Sequence, residues 1–300
     1  MIDFHSHLLP ALDDGAITVD DSIAMARALA AFGYKAVCCT PHCIKGYYEL
    51  APKQVREATL ILQADLDNEG IQLELWPGME YMLDECFSEF AEDLLPLGDT
   101  KLVLCEAPPQ AHPLFVQEGL ELIAEKGFVP LVAHPERTQF FYDKITQHVA
   151  SNASRNNSKN RIENVFKDSD ESFASSRSPL GFIKNMFSPR VTRPAPRALD
   201  PTTQTLNSSV QEYCLFHANL GSFTGFYGAK VQSNAYELLK LGVYTAIATD
   251  LHDSRSAVNV LVQDKFENNP FLKKLAQFDG VVPEMQAAVK PGKGEQIGLF

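Results

Sequence analysis

No apolar run in this chain approaches the ~20 residues needed to cross a bilayer, and the N-terminus has neither the basic start nor the apolar stretch of a signal peptide. A cytoplasmic location, without membrane insertion, is therefore expected. Positive charge is scarce: 26 Lys and Arg stand against 38 Asp and Glu, a formal charge of −12. That balance argues against a nucleic-acid groove or an anionic membrane surface as the main partner. An anionic substrate would need local positive charge from metal ions or well-placed arginines. No Gly-x-Gly-x-x-Gly follows the first candidate strand, which weakens an open Rossmann-like sheet, the structural runner-up. The six cysteines fit a reducing compartment, several of them inside apolar runs. Cys39-Thr-Pro-His-Cys43 lacks a second Cys pair at finger spacing, so a zinc knuckle is not expected.

What is present is an ordinary soluble composition, 45% hydrophobic and 21% charged over 300 residues. Short β-rich runs alternate with longer helical patterns. Strands are expected at Ile2–His5, Tyr34–Thr40, Gln72–Trp76, Lys101–Cys105, Val129–Ala133, Tyr213–Ala218 and Val243–Ala248. Helical spacing runs through Asp20–Phe32, Pro52–Asp67, Leu114–Glu125 and Ser233–Leu241, with Thr18 as a candidate N-cap. Gly33, Gly70, Gly127 and Gly242 each close a helical pattern just before a strand. Repeated β-α order with near-continuous apolar strands predicts an α/β fold with a parallel sheet, and about seven such units suggest an irregular barrel. One stretch breaks the pattern. Ser151–Ser178 is dominated by Ser and Asn, with prolines following through Pro201. It reads as a partly disordered surface insertion at about 150–208 within a single domain spanning 1–300.

The polar residues are not scattered. "MIDF" runs into His5-Ser6-His7, "YKAVCCT" into Pro41-His42, and "LELWPGM" into Glu80. "KLVLC" runs into Glu106, "FVPLVA" into His134-Pro-Glu-Arg137, and "VYTAIAT" into Asp250-Leu-His252. In a parallel barrel all strand C-termini lie on one face, so these residues should converge there. Residues two apart in an extended segment point the same way, which pairs His5 with His7 and Asp250 with His252. Adding Asp14 gives nine candidates: His5, His7, Asp14, His42, Glu80, Glu106, His134, Asp250 and His252. One ion needs roughly four to six ligands, so the set implies two or three divalent ions sharing bridging groups. Imidazole with carboxylate suits Mn, and also Fe, Zn or Co. Each residue alone has a plainer reading: a lone His after a strand is usually solvated, and Asp14 sits in an ordinary "DDG" turn. The joint pattern carries the metal reading. His112, His148 and His217 fall outside it and read as structural or solvated, and Asp13 and Gly15 as loop-shaping residues.

The motifs "HSHLLPALDDG", "CTPHCIKGYY", "GMEYMLDE", "LCEAP", "VAHPER" and "ATDLHD" resemble the PHP (polymerase and histidinol phosphatase) superfamily. Within it they are most similar to the bacterial metal-dependent protein-tyrosine phosphatases of capsule and exopolysaccharide systems, the CpsB/YwqE type. The resemblance covers Met1 to about Gln147 and about Val210 to Arg255. It implies a distorted (β/α)7 barrel with a metal site at the C-terminal face of the strands. One ion would take His5, His7, Glu80 and Asp250. A second would share Glu80 and add Glu106 and His134, and a third would take Asp14, His42 and His252. Arg137 and Arg255 would hold the substrate phosphate, and His42 or a metal-activated water would protonate the leaving oxygen. Cys43 stands where a second histidine is common. Cysteine-dependent tyrosine phosphatases place Arg six residues after the nucleophile, and none of the six cysteines here has one. The implied activity is metal-dependent hydrolysis of phosphotyrosine in a protein, the tail of a tyrosine autokinase controlling capsule or exopolysaccharide synthesis. A small-molecule phosphoesterase of the histidinol-phosphatase kind, or a non-catalytic regulatory module on the same fold, are the alternatives. The sequence is silent on oligomeric state.

Overall fold

The computed structural model describes residues 1–110, 112–147 and 214–277. The insertion expected at about 150–208, with His148 at its edge, lies outside the described residues.

The alternation of β and α segments is realised as parallel sheet with covering helices. The strands are β1 (Ile2–Ser6), β2 (Ala36–Cys39), β3 (His42–Cys43), β4 (Glu74–Pro77), β5 (Glu80–Met82), β6 (Leu102–Glu106), β7 (Val129–Ala133), β8 (Leu215–Asn219) and β9 (Ala246–Ala248). They form a three-stranded sheet β1-β2-β4 and a six-stranded sheet β3-β5-β6-β7-β8-β9, with every strand pair parallel. Two strands beyond the seven expected arise because β2 and β4 each resume after a two-residue break, at Thr40-Pro41 and Gly78-Met79. Backbone bonds bridge the breaks: Gly78 N donates to Cys39 O at 2.9 Å and Glu80 N to Pro41 O at 3.1 Å. The last strand also meets the first. Asp250 N donates to His5 O at 2.8 Å, and His7 N to Leu251 O at 2.9 Å.

The helices α1 (Val19–Phe32), α2 (Pro52–Asn68), α3 (Pro113–Glu125) and α5 (Ala229–Lys240) match the expected periodic segments, the last beginning four residues earlier than Ser233. A short helix, α4 (Leu220–Thr224), precedes α5. Thr18 caps α1, its side chain accepting from Asp21 N at 3.2 Å. Gly33, Gly70, Gly127 and Gly242 all take positive φ, which lets the chain leave a helix directly into a strand. No described helix is long and apolar enough to cross a membrane.

Two hydrophobic clusters sandwich the strands. The larger lies against the helices and takes one alternation of the strand residues, among them Val37, Val103, Val132 and Ile247. The smaller takes the other alternation: Phe4, Cys38, Leu102, Leu104, Leu131, Leu215, Ala246 and Ala248, with Trp76 packed on it. Continuing that second alternation toward the strand ends leads from Leu104 to Glu106, from Leu215 to His217, and from Ala248 to Asp250. Two steps lead from Cys38 to His42 and from Trp76 to Glu80. On these strands the apolar floor and the polar residues above it share one face; β1 and β7 differ, since Phe4 and Ala133 lie on the opposite alternation from His5, His7 and His134.

Candidate metal centre

All nine candidates, the eight at strand ends and Asp14, come together. Groups whose ligand atoms lie within 4.8 Å of one another are His5–His7–Glu80, His5–His134–Asp250, His42–Glu80–Glu106 and His7–Asp14–His42–His252. Asp14, His42 and His252 fall in one group, and His134 Nε2 lies 3.5 Å from Glu80 Oε1 and 3.9 Å from Glu106 Oε2. Glu106 associates with His42 and Glu80, and His134 with His5 and Asp250.

At the centre four acceptor atoms crowd one another. His5 Nε2 lies 3.0 Å from His7 Nε2, 3.1 Å from Glu80 Oε2 and 3.2 Å from Asp250 Oδ1. His7 Nε2 is 3.4 Å from the same Glu80 oxygen and 3.3 Å from the same Asp250 oxygen. His42 Nδ1 adds a contact to Glu80 Oε2 at 3.0 Å, and His134 Nε2 one to Glu80 Oε1 at 3.5 Å. Glu80 is 1% exposed, and neither of its carboxylate oxygens has a hydrogen-bond partner. A buried charge in that condition is costly unless a cation compensates it. The donor set fits a divalent ion: imidazole nitrogens and carboxylate oxygens, several of them shared between groups.

Exposure grades outward. His5, His7, Glu80 and Asp250 are fully buried, whereas the side chains of Glu106, His252 and Asp14 are 15%, 28% and 55% exposed. His252 Nε2 and His42 Nε2 both approach Asp14 Oδ1, at 3.6 and 3.5 Å. The backbone is forced at two of the strand ends: His134 and Asp250 are, among the described residues, two of three non-glycine positions with positive φ, 33° and 52°. Such strain collects where the fold must aim a functional side chain.

The charges of the cluster shift the titration of its own members. Burial opposes charge on His7, but Asp13, Asp250 and Glu80 outweigh it and hold the pKa well above the ordinary value. Burial likewise opposes His42, yet the Glu80 and Glu106 charges raise it to about 9. Glu106 is pushed up to about 8 by burial and by the Glu80 charge. His134 goes the other way, down to about 4, through burial and the nearby Arg137.

Arg137 reaches the cluster. Its Nη1 donates to Asp250 Oδ2, and its guanidinium lies 4.2 Å from the Tyr227 ring centroid. Arg255 is placed differently. Its side chain is 91% exposed and faces Asp253, Nε to Oδ1 at 3.7 Å. His112 caps α3, accepting from Leu114 N at 3.3 Å. Cys43 is buried and free.

Several contributors were not expected. Asp13 shapes its loop by accepting from Gly15 N at 2.9 Å, but its other oxygen accepts from His7 Nδ1 at 2.6 Å and His42 N at 2.9 Å. His217 touches His5, ring nitrogen to ring nitrogen, at 3.0 Å. Asn219 Nδ2 donates to Asp250 Oδ2 at 2.9 Å. Glu136, between His134 and Arg137, is buried and accepts from Asn219 N, Ser222 Oγ and Tyr244 OH at 2.9, 2.8 and 3.0 Å, tying their loop to β8 and α4. The available signal was position on the inward alternation, which marks His217 as surely as it marks Glu106.

Gly15 is sterically committed as well. A Cβ there would lie 2.3 Å from His7 O and 2.4 Å from His7 Cβ, so the loop would have to move off the ligand it wraps. Gly15→Ala is expected to cost on the order of 1–3 kcal/mol, read as a lowered Tm together with weakened metal retention. A Tm within a degree of the parent would show that the loop yields freely.

A parallel α/β scaffold that gathers five histidines and four carboxylates into groups with the spacing to hold metal ions defines the class as a candidate metal-binding α/β protein. The sequence model of the capsular polysaccharide synthesis family CpsB/CapC matches residues 1–154, and the chain belongs to that family. The tyrosine-protein phosphatase YwqE of Bacillus subtilis (strain 168) is 40% identical over 144 residues, 46% of this chain and 56% of the relative. The tyrosine-protein phosphatase CpsB of Streptococcus agalactiae is 27% identical over 139 residues, 46% of this chain and 57% of the relative. The matched sequence thus spans little more than half the length of these curated relatives. The structural likeness extends further. A solved structure described as one of YwqE from Bacillus subtilis and CpsB from Streptococcus pneumoniae, unique metal-dependent tyrosine phosphatases, superposes with a TM-score of 0.62 at 25% identity. It covers 92% of this chain and 91% of that one.

Proposed function

We propose that this chain is a metal-dependent phosphotyrosine-protein phosphatase. The observation that carries the reading is the buried Glu80 carboxylate, without a hydrogen-bond donor and surrounded by His5, His7, His42 and His134. All nine candidates serve as ligands in this reading, for two or three divalent ions, with manganese the first choice. Such ions supply charge neutralisation of the phosphoryl oxygens and an activated water at neutral pH.

The chain's own residues do the rest. Arg137, anchored by Asp250 and the Tyr227 ring, presents a guanidinium beside the cluster to bind phosphoryl oxygens. Arg255, exposed and facing Asp253, is the second phosphate-binding group in this reading. His42 turns both ring nitrogens toward carboxylates, Glu80 on one side and Asp14 on the other, which favours ligation over proton donation to the leaving oxygen. A tyrosine phenolate, with pKa near 10, needs only modest help to leave. The bonds from Asp250 to His5 and from His7 to Leu251 support closure of the two sheets into a distorted (β/α)7 barrel, with residues 1–300 as one domain. The partner in this reading is the phosphorylated tail of a tyrosine autokinase in capsule or exopolysaccharide export, met in the cytoplasm.

The test is turnover of a phosphotyrosine peptide and of histidinol phosphate by the full chain, before and after chelation. Activity on the peptide that disappears with chelator and returns with Mn²⁺ is expected. Full activity in protein shown by elemental analysis to be metal-free would refute the metal mechanism. Preference for histidinol phosphate would move the substrate to small molecules.

A further inference from the structure

Ring protons decide which histidine nitrogens can face an ion, and the structure orients three rings by elimination. His217 Nδ1 lies 3.2 Å from Ala218 O, a pure acceptor, so that nitrogen carries the proton. The neutral ring then offers a bare Nε2, which lies 3.0 Å from His5 Nδ1 and can only accept. His5 must donate from Nδ1, which leaves His5 Nε2 bare and turned toward Glu80 and Asp250. His7 reaches the same state by another route. Its Nδ1 donates to the Asp13 carboxylate at 2.6 Å, so its Nε2 faces the same two carboxylates. His252 donates from Nδ1 to the Asp250 carbonyl at 2.9 Å, and its Nε2 looks toward Asp14.

We propose that Asp13 and His217 are positioning residues that lock the Nδ1–H forms of His7 and His5, so that both Nε2 lone pairs converge on one ion. This rests on the metal reading above. Asp13 does more than orient one ring. The oxygen that accepts from His7 also accepts from the backbone N–H of His42, and its other oxygen holds Gly15 in the loop that carries Asp14. One buried carboxylate therefore sets the buried His7 and the outer pair His42 and Asp14 in register. His217 acts on His5 alone. It lies on β8, a strand whose end supplies no proposed ligand, so β8 contributes by supporting ligands on other strands, His5 through His217 and Asp250 through Asn219.

The experiment uses the full chain loaded with Zn²⁺ as a diamagnetic probe. Ring ¹⁵N shifts should show His5 and His7 coordinated through Nε2 with Nδ1 protonated. Equilibrium competition against a chelator should show Zn²⁺ affinity lowered ~10–100-fold in Asp13→Ala and in His217→Leu. His217→Gln, whose amide oxygen can still accept from His5, should recover most of the loss. Coordination of either ring through Nδ1 would overturn the proposal, and so would wild-type affinity in both folded variants. If a variant fails to fold, the wild-type ¹⁵N assignment decides alone. A wild-type chain that retains no Zn²⁺ would sink the metal reading and this inference together, whereas retention without loss in the variants would sink this inference only.

Discussion

Glu80→Gln should abolish metal retention and lower phosphatase turnover by on the order of 10³ or more, while the metal-free protein unfolds at a lower temperature at neutral pH. The two effects have one cause. Glu80 Oε2 lies 3.0–3.4 Å from His42 Nδ1, His5 Nε2 and His7 Nε2, and no group donates to it with hydrogen-bond geometry. Burial opposes the charge, but His5, His42 and His134 outweigh it and hold the Glu80 carboxyl well below its ordinary range, so a neutral amide removes the charge that keeps His42 protonated in the metal-free fold. The amide also removes the one carboxylate that two of the four ligand groups share, so those groups lose their common bridge. The measurement is initial rate on a phosphotyrosine peptide at saturating Mn²⁺, with calorimetric Tm in chelator and in Mn²⁺. The parent should gain a metal-dependent rise in Tm that the variant lacks. A variant whose rate stays within tenfold of the parent, or whose Tm still responds to Mn²⁺ as before, would remove Glu80 from the centre of the site.

How much of this was legible in the sequence follows from what each feature depends on. The parallel β-α order, the main helices and the glycines that end them depend on local periodicity and local dihedral needs, and they stand where the pattern put them. The strands β3 and β5 were missed because each is two or three residues long and follows a Pro or Gly interruption, where no period can be read. α5 starts at Ala229, earlier than its apolar spacing suggested, because Lys230 and Gln232 leave its first turn without a hydrophobic face. Eight of the nine polar residues were visible because they follow apolar runs, and Asp14 because it sits in the turn after His5 and His7. The distances between them were not, since those depend on which strands pair and on the positive φ at His134 and Asp250. Nor was the work of His217, whose partner His5 is 212 residues away. Asp13 was read as a turn residue and is one. Its second oxygen has a role that appears only once β1 and β3 are neighbours of the same loop.

The same electrostatics predict opposite pH trends for the metal-free and metal-loaded forms. In the metal-free chain His42 keeps its proton up to about 9 and Glu106 keeps its own up to about 8. A folded-state pKa raised above its unfolded value gives stability that is complete below the unfolded value and is lost as pH climbs through the folded one. For His42 the window runs from ~6.5 to about 9, and for Glu106 from ~4.3 to about 8. Both losses have the same sign, so metal-free Tm should fall steadily between pH 6.5 and 9. The His42 contribution is on the order of 3 kcal/mol, enough to move Tm by several degrees. An ion that replaces these protons reverses the dependence. Its binding must displace them, so its affinity strengthens as pH rises and the protons leave unaided. Loaded protein should therefore hold or gain Tm across the range in which stripped protein loses it, and titrating ion into unbuffered stripped protein at pH 7 should acidify the solution. Parallel Tm profiles, or binding without proton release, would mean that His42 and Glu106 do not share their site with the ion, and the outer part of the proposed ligand set would have to be withdrawn.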